Sequence, residues 1–306
     1  MAKSKEALID VKPVDQGLTI RKEEAPEPLG VEEPQIQIAD AGDNGASSKF
    51  EMVDPFGKDI ENADLFRHRQ LAELQPLVRT CIVKQGMSLI TGPAGSGKTT
   101  AVRSVTDELP SNKYSAIYLG QDQDGTNLLS RFASSLGLQP TRFRPRLAMQ
   151  ISRWLMDNFD SGGKEVVLIV DEAHLLDNAM LEEFRLMTNA NYDRRSPLTL
   201  ILLGHPLLRQ RLRSPDFEAL RQRLRYRYCL EGLDQDETTE YIQHRLTSAG
   251  LPADLFTADA LQYVFQATEG LPRRINNVCS LAVMKAGTMR RSTIDLAFLK
   301  EMVDLD

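Results

Sequence analysis

The chain has 306 residues, 42% of them apolar and 26% charged, and a formal net charge of −6 at pH 7. That length holds one large or two modest domains, and the acidic balance argues against a generally basic nucleic-acid binder, so any such contact must come from a local patch. Cys81, Cys229 and Cys279 lie far apart with no C-x-x-C pair, which favours a reducing cytoplasm over a disulfide framework or a zinc site, and neither a membrane-length apolar run nor an apolar signal core is visible.

Residues 1 to about 50 are polar, acidic, Pro- and Gly-containing and nearly free of aromatics. Such a segment buries too little surface to offset the entropy of ordering, so a disordered tail is expected. From Phe56 onward strand and helix signals alternate. Strands are expected at Ser88–Thr91, Ser115–Leu119, Val166–Asp171, Leu198–Gly204 and Arg225–Leu230. Between them lie helical stretches at Thr100–Leu109, Asn127–Leu136 and Leu147–Phe159, and a further helix begins near Asp177, a plausible N-cap. This alternation predicts a parallel sheet with helices on both faces. After Leu233 the strand signals stop. Asp234-x-x-Glu237 has the form of a capping box and opens a helix that ends at Gly250. Thr257 caps a second helix, Pro272 sits near the first turn of a third, and a last covers about Ile294–Val303. The expected organisation is a tail (1–50), an α/β domain (51–232) and a small all-helical lid (233–306).

Two motifs in the α/β part carry chemistry. Gly92-Pro93-Ala94-Gly95-Ser96-Gly97-Lys98-Thr99 matches G-x-x-x-x-G-K-[ST] in full, between an apolar strand and a helix that continues from Thr100. Its glycines let the backbone N–H groups and the helix N-terminus face phosphates. Lys98 adds a charge to them, and the Thr99 hydroxyl can ligate Mg²⁺. The pattern therefore predicts ATP and Mg²⁺ as cofactors, with residues 92–100 as the nucleotide contacts. The second motif is Glu165-Val166-Val167-Leu168-Ile169-Val170, a buried-strand pattern ending in Asp171-Glu172-Ala173-His174. Asp171 is placed to hold the metal and Glu172 to polarise an attacking water, which predicts hydrolysis as well as binding. A lone His such as His174 is more often a packing or hydrogen-bonding residue.

From about Phe56 to Val303 the chain resembles the AAA+ ATPases of the ExeA/TnsC/TniB group, which is also similar to MuB. Besides these two motifs, the resemblance rests on Leu181-Glu182-Glu183-Phe184-Arg185-Leu186-Met187-Thr188-Asn189, Leu202-Leu203-Gly204-His205-Pro206, Leu220-Arg221-Gln222-Arg223-Leu224 and Gly270-Leu271-Pro272-Arg273-Arg274-Ile275-Asn276-Asn277. It implies a AAA+ P-loop fold with five parallel strands and a helical lid. It also implies His205 as the polar sensor of the γ-phosphate, with a turn residue before Pro206 as the other reading. Arg223 resembles the arginine finger that completes a neighbouring subunit's site, and Arg221 competes for that role. Arg273 matches the lid arginine called sensor 2. Gln123, in the segment after the second strand, and Thr141, Arg142, Arg144 and Arg146 occupy the group's DNA-facing region, where arginines could grip phosphates without sequence readout.

Members of the group are transposon-encoded ATPases that choose target DNA and activate a DDE transposase, or ATPases of type II secretion. The secretion type usually continues past its lid into a membrane span and an envelope domain, so the expectation here is the transposition role. That role implies a ring or filament of this chain on duplex DNA without strong sequence specificity. It implies a transposase and a target-selection adaptor as partners, and no membrane. An ExeA-like secretion ATPase is the alternative.

Overall fold

The protein is described from a computed structural model, which covers residues 54–57, 62–120, 128–189 and 196–303. The expected tail and Gln123 lie outside the described residues. Five strands form one sheet: β1 (Met87–Thr91), β2 (Tyr114–Leu119), β3 (Glu165–Val170), β4 (Leu198–Gly204) and β5 (Leu224–Cys229). Their order is β2-β3-β4-β1-β5 and every pairing is parallel. Each expected strand is present to within a residue at either end.

The three central strands, β3, β4 and β1, are buried on both faces because both faces are covered. In β4, Leu200 and Leu202 turn to one side, where they join Leu168, Phe132, Ile151, Leu155 and Phe184. Ile201 and Leu203 turn to the other and meet Val167, Ile169, Leu74, Val78 and Val102. The first face is packed by α3 (Leu128–Ser135), α4 (Arg144–Asp160) and α5 (Asn178–Met187), and the second by α1 (Arg69–Val83) and α2 (Lys98–Thr106). Two short helices, α6 (Pro206–Arg211) and α7 (Glu218–Arg223), fill the connection from β4 to β5.

Three local differences from the pattern-based expectation have physical reasons. Helix α1 is not among the expected helices, yet it buries Leu71, Leu74, Val78 and Ile82, a stripe at helical spacing interrupted only by Pro76. Helix α2 starts inside the phosphate loop, at Lys98, so the loop's last residues are helical. Helix α4 starts at Arg144, not Leu147, because Pro145 suits a first helical turn. Arg144 and Arg146 therefore lie in a helix.

The C-terminal region is helical, with α8 (Gln235–Ser248), α9 (Ala258–Thr268), α10 (Pro272–Thr288) and α11 (Leu296–Val303) around Ile242, Leu246, Val264, Ile275, Cys279 and Leu299. Its caps are those the residues predict. Asp234 accepts from Glu237 N (2.8 Å) while the Glu237 carboxylate accepts from Asp234 N (3.3 Å), and Thr257 accepts from Ala260 N. Arg245, 7% exposed, extends from α8 to the segment at 54–57, donating to the Pro55 (2.7 Å) and Gly57 (2.9 Å) carbonyls.

The helical region meets the end of the sheet domain at Gly270. This residue has φ +67° and accepts from Leu233 N (2.8 Å), and a Cβ there would overlap the Leu233 backbone carbonyl. Gly270→Ala should cost the left-handed backbone penalty of about 1–2 kcal/mol and the overlap in addition. Gly162→Ala, at φ +71° with open space around the new Cβ, should cost only the backbone part. Urea unfolding of the two variants measures the difference, and equal losses would contradict the described junction.

Candidate nucleotide site

A cleft of roughly 1060 Å³ opens between the carboxyl edge of the sheet and the C-terminal helices. Its lining includes Ala94 through Thr100 from the phosphate loop and α2, Asp171 and Glu172 from the end of β3, and Arg273 from the start of α10. Sequence-distant candidates thus meet at one place. Two backbone bonds fix the loop. Gly92 N donates to Gly204 O (3.1 Å) at the end of β4, and Arg273 N donates to Gly95 O (3.2 Å), so α10 begins against the loop.

Lys98 is 7% exposed, and its ammonium donates to the Gly92 (3.0 Å) and Pro93 (2.8 Å) carbonyls. Burial lowers its pKa, while the nearby carboxylates of Glu172 and Asp171 pull the other way. A further anion beside it would offset the cost of that burial. The buried hydroxyl of Ser96 has no hydrogen-bond partner in the protein, another polar group that a phosphate oxygen would satisfy.

At Asp171 the contacts are close. Thr99 Oγ1 donates to Asp171 Oδ2 (2.6 Å), and so does the Tyr118 hydroxyl (2.7 Å), while Glu172 N donates to Oδ1 (2.8 Å). Burial, then the bond to Asp171, raises the Tyr118 pKa, so the phenol is a donor at neutral pH. Hard oxygen donors of this kind fit Mg²⁺, and Thr99 and Asp171 would hold it. Among the described residues no group of three or more His, Cys, Asp or Glu side chains forms a metal site by itself. A cation at Thr99 and Asp171 would therefore complete its shell with phosphate oxygens and water. Bound there, Mg²⁺ would neutralise phosphate charge.

Glu172 has a left-handed backbone (φ +51°), uncommon for a residue with a side chain. Its carboxylate lies 3.3 Å from His174 Nδ1, and the same nitrogen lies 3.4 Å from the amide of His205. One nitrogen cannot serve both: Glu172 needs a proton on it and the amide needs its lone pair. His174 thereby sits between the water-activating candidate and the expected sensor, a position that its sequence context does not reveal. The His205 ring itself accepts from Leu207 N (3.4 Å) and caps α6. Both readings of His205, sensor and turn residue, fit its place after β4.

Among the described residues, the cleft lining includes neither His205 nor Arg223. Arg223 is half-buried on another part of the domain, near Arg185 and Glu182, and donates to Thr188 Oγ1 (3.4 Å). Burial and the Arg185 charge lower its pKa. Arg221 instead donates to the Arg213 carbonyl (2.9 Å).

Thr141, Arg142 and Arg144 line one concavity, with Arg131 and Asp177. Arg144 is bound to Glu183 (3.0 and 3.2 Å) and to both oxygens of Asp177 (3.2 and 3.3 Å), which neutralises it within the fold. Arg142 and Arg146 are exposed, with Phe143 between Arg142 and α4, while Thr141 is half-buried. Of the three arginines expected to grip phosphates, Arg144 is thus held by carboxylates, while Arg142 and Arg146 lie exposed.

Residues not among the sequence candidates also line the cleft. Phe56, Phe66, His68, Tyr241 and Arg245 are among them, drawn from the segment before β1 and from α8. Tyr118, bonded to Asp171 but not part of the cleft lining, is a further residue outside the sequence candidates. Its signal was its place near the end of a strand paired in register with β3, Tyr118 opposite Ile169.

Residues 79–212 match the protein family described as AAA domain. Over 203 residues the chain is 34% identical to General secretion pathway protein A of Aeromonas hydrophila, an alignment covering 66% of this chain and 37% of that protein. The chain thus spans little more than a third of the curated relative's length. Among solved structures, Cdc6p from Pyrobaculum aerophilum superposes with a TM-score of 0.59 at 18% identity, covering 78% of this chain and 67% of that one. The Aeropyrum pernix ORC1 protein in complex with DNA gives a TM-score of 0.61 at 15% identity, covering 78% and 65%. At those identities the likeness concerns the fold. The five-stranded parallel sheet with its helical C-terminal region is the AAA+ P-loop fold, and together with the AAA domain at residues 79–212 and the secretion-pathway relative it supports the AAA+ ATPase family for this chain.

Proposed function

We propose that this chain is an ATPase that needs Mg²⁺, has its site completed by a neighbouring copy, and serves an assembly or energy-coupling step in a secretion pathway. The observation that carries the ATPase reading is the convergence of Lys98, Thr99, Asp171, Glu172 and Arg273 on one cleft. The 34% identity to General secretion pathway protein A supports the secretion step. In this reading residues 92–100 hold the phosphates and Thr99 and Asp171 the metal. Glu172 activates water, His205 senses the γ-phosphate through the β4 edge, and Arg273 senses it from a lid that begins near residue 233.

Arg223 is the trans-acting arginine of the proposal. A guanidinium suits the oxygen-rich charge that develops on the transferred phosphoryl group. It is not among the residues lining the chain's own cleft, as delivery to a neighbour requires.

The second reading is a regulator of transposition that assembles on duplex DNA. The exposed Arg142 and Arg146 favour it, whereas the pairing of Arg144 with Asp177 and Glu183 weakens it. Electron microscopy with ATP, with and without duplex DNA, separates the two. DNA-dependent rings or filaments would select transposition, and their absence under every nucleotide condition would leave the secretion step.

Two mutational tests address the chemistry. Lys98→Ala should abolish nucleotide binding, because it removes the buried ammonium from the loop. Glu172→Gln should keep binding and slow turnover by about 100-fold or more, since only water activation is lost. Wild-type hydrolysis by both variants would refute the site. For the trans arrangement, mixing Arg223→Ala with Glu172→Gln subunits should restore part of the activity, because some interfaces then pair an intact Glu172 with an intact Arg223. Mixed oligomers without any rescue would refute a shared site.

A further inference from the structure

Tyr118 is half exposed, at 51%, on the second-last residue of β2, and nothing in the phosphate-loop chemistry calls for a phenol there. Its position is nevertheless closely determined. Register with β3 sets the backbone, since Leu119 pairs with Val170 and Asp171 N donates to Leu119 O (2.9 Å). The ring lies against the backbone of Gly120, where an added Cβ would stand 3.0 Å from a ring carbon and 3.3 Å from the phenol oxygen. Gly120 is itself held by Arg131, whose guanidinium donates to its carbonyl (2.7 Å). A residue with any side chain at position 120 would crowd the phenol where it now reaches Asp171.

The consequence is at Asp171 Oδ2, which accepts two hydroxyl hydrogen bonds, from Thr99 and from Tyr118. With Glu172 N on Oδ1, all three donors fix the plane of the carboxylate. Thr99 directs its proton at Asp171, so its oxygen lone pairs point elsewhere and are available to a cation. Without Tyr118 the carboxylate would have one anchor fewer on that oxygen and could turn away from Thr99. Donors that orient a ligating carboxylate commonly govern metal affinity as strongly as some ligands do.

We infer that Tyr118 is a positioning residue of the metal site, holding Asp171 in the orientation in which it and Thr99 receive a divalent cation. The inference rests on the ATPase reading above and adds to it a residue outside both nucleotide motifs. Tyr118 acts through Asp171 and lies outside the cleft lining.

The test uses the full chain with Mn²⁺ as the probe, its free concentration followed by electron paramagnetic resonance at saturating ADP. Nucleotide affinity is measured separately in EDTA. Tyr118→Phe should weaken Mn²⁺ retention by roughly 10-fold, the lower end for loss of such a supporting bond, and leave metal-free ADP affinity unchanged. Gly120→Ala, which keeps the phenol but crowds it, should shift Mn²⁺ retention in the same direction by less. Unchanged Mn²⁺ retention in Tyr118→Phe, beside normal retention by the wild type, overturns the inference alone. A wild-type protein that holds no Mn²⁺ with ADP overturns the ATPase reading and this inference with it. Loss of metal-free ADP affinity in both variants would show a structural role and also overturn it.

Discussion

The site depends on parallel pairing of β3 with β4 and of β4 with β1. In a parallel sheet all strands end on the same edge, so whatever follows them emerges together. Three backbone bonds extend the ladders beyond the strands: Asp171 N to Leu119 O, Gly92 N to Gly204 O, and Leu230 N to Thr91 O. These rungs fix the first residue after β3, β1 and β5 before any side chain contributes. The acidic residues and the phosphate loop face one another because of where strands stop. Apolar burial on both faces of β4 makes that edge rigid, since sliding the strand by one residue would exchange Leu200 and Leu202 with Ile201 and Leu203 between two packed cores.

On this rigid edge the second wall of the cleft comes from the C-terminal helices. Arg273 N rests on Gly95 O, and Arg245 holds the backbone at Pro55 and Gly57. Asp54 is bonded to Ser280 Oγ (2.9 Å) as well. The segment before α1 is therefore attached to the helical region while α1 itself packs on the sheet. A ligand bound between the two walls would touch both, and would couple its own presence to their relative angle.

The arginines show how chemistry that looks uniform in sequence is divided by the fold. The chain between His205 and Cys229 is rich in arginine, yet these side chains have unrelated tasks. Arg211 donates to the His174 (3.1 Å) and Leu176 (2.7 Å) carbonyls and lies over the Phe217 ring, bracing the segment after β3. Arg227 donates to the Leu224 carbonyl (2.7 Å), and Arg223 lies near Arg185 and Glu182. Arg144 is spent on Asp177 and Glu183, 33 and 39 positions away. Spacing along the chain carries no information about such partners, because they are supplied by helices packed against the arginine.

Local pattern alone determined the five strands, the phosphate loop, Asp171 and Glu172, and the caps Asp177, Asp234 and Thr257. Each is legible within a few residues: backbone freedom, a short continuous apolar run, a side chain closing onto a nearby amide. The stripe of α1 was equally legible in Leu71, Leu74, Val78 and Ile82, but α1 was not among the expected helices. Tertiary structure decided what required contact across the chain. It joined Tyr118 to Asp171, placed His174 between Glu172 and His205, paired Arg144 with Asp177 and Glu183, and brought Phe56, Tyr241 and Arg245 into the cleft lining. Those choices depend on strand order, register and the packing of the C-terminal helices, which are non-local, so the residues concerned carry no motif of their own.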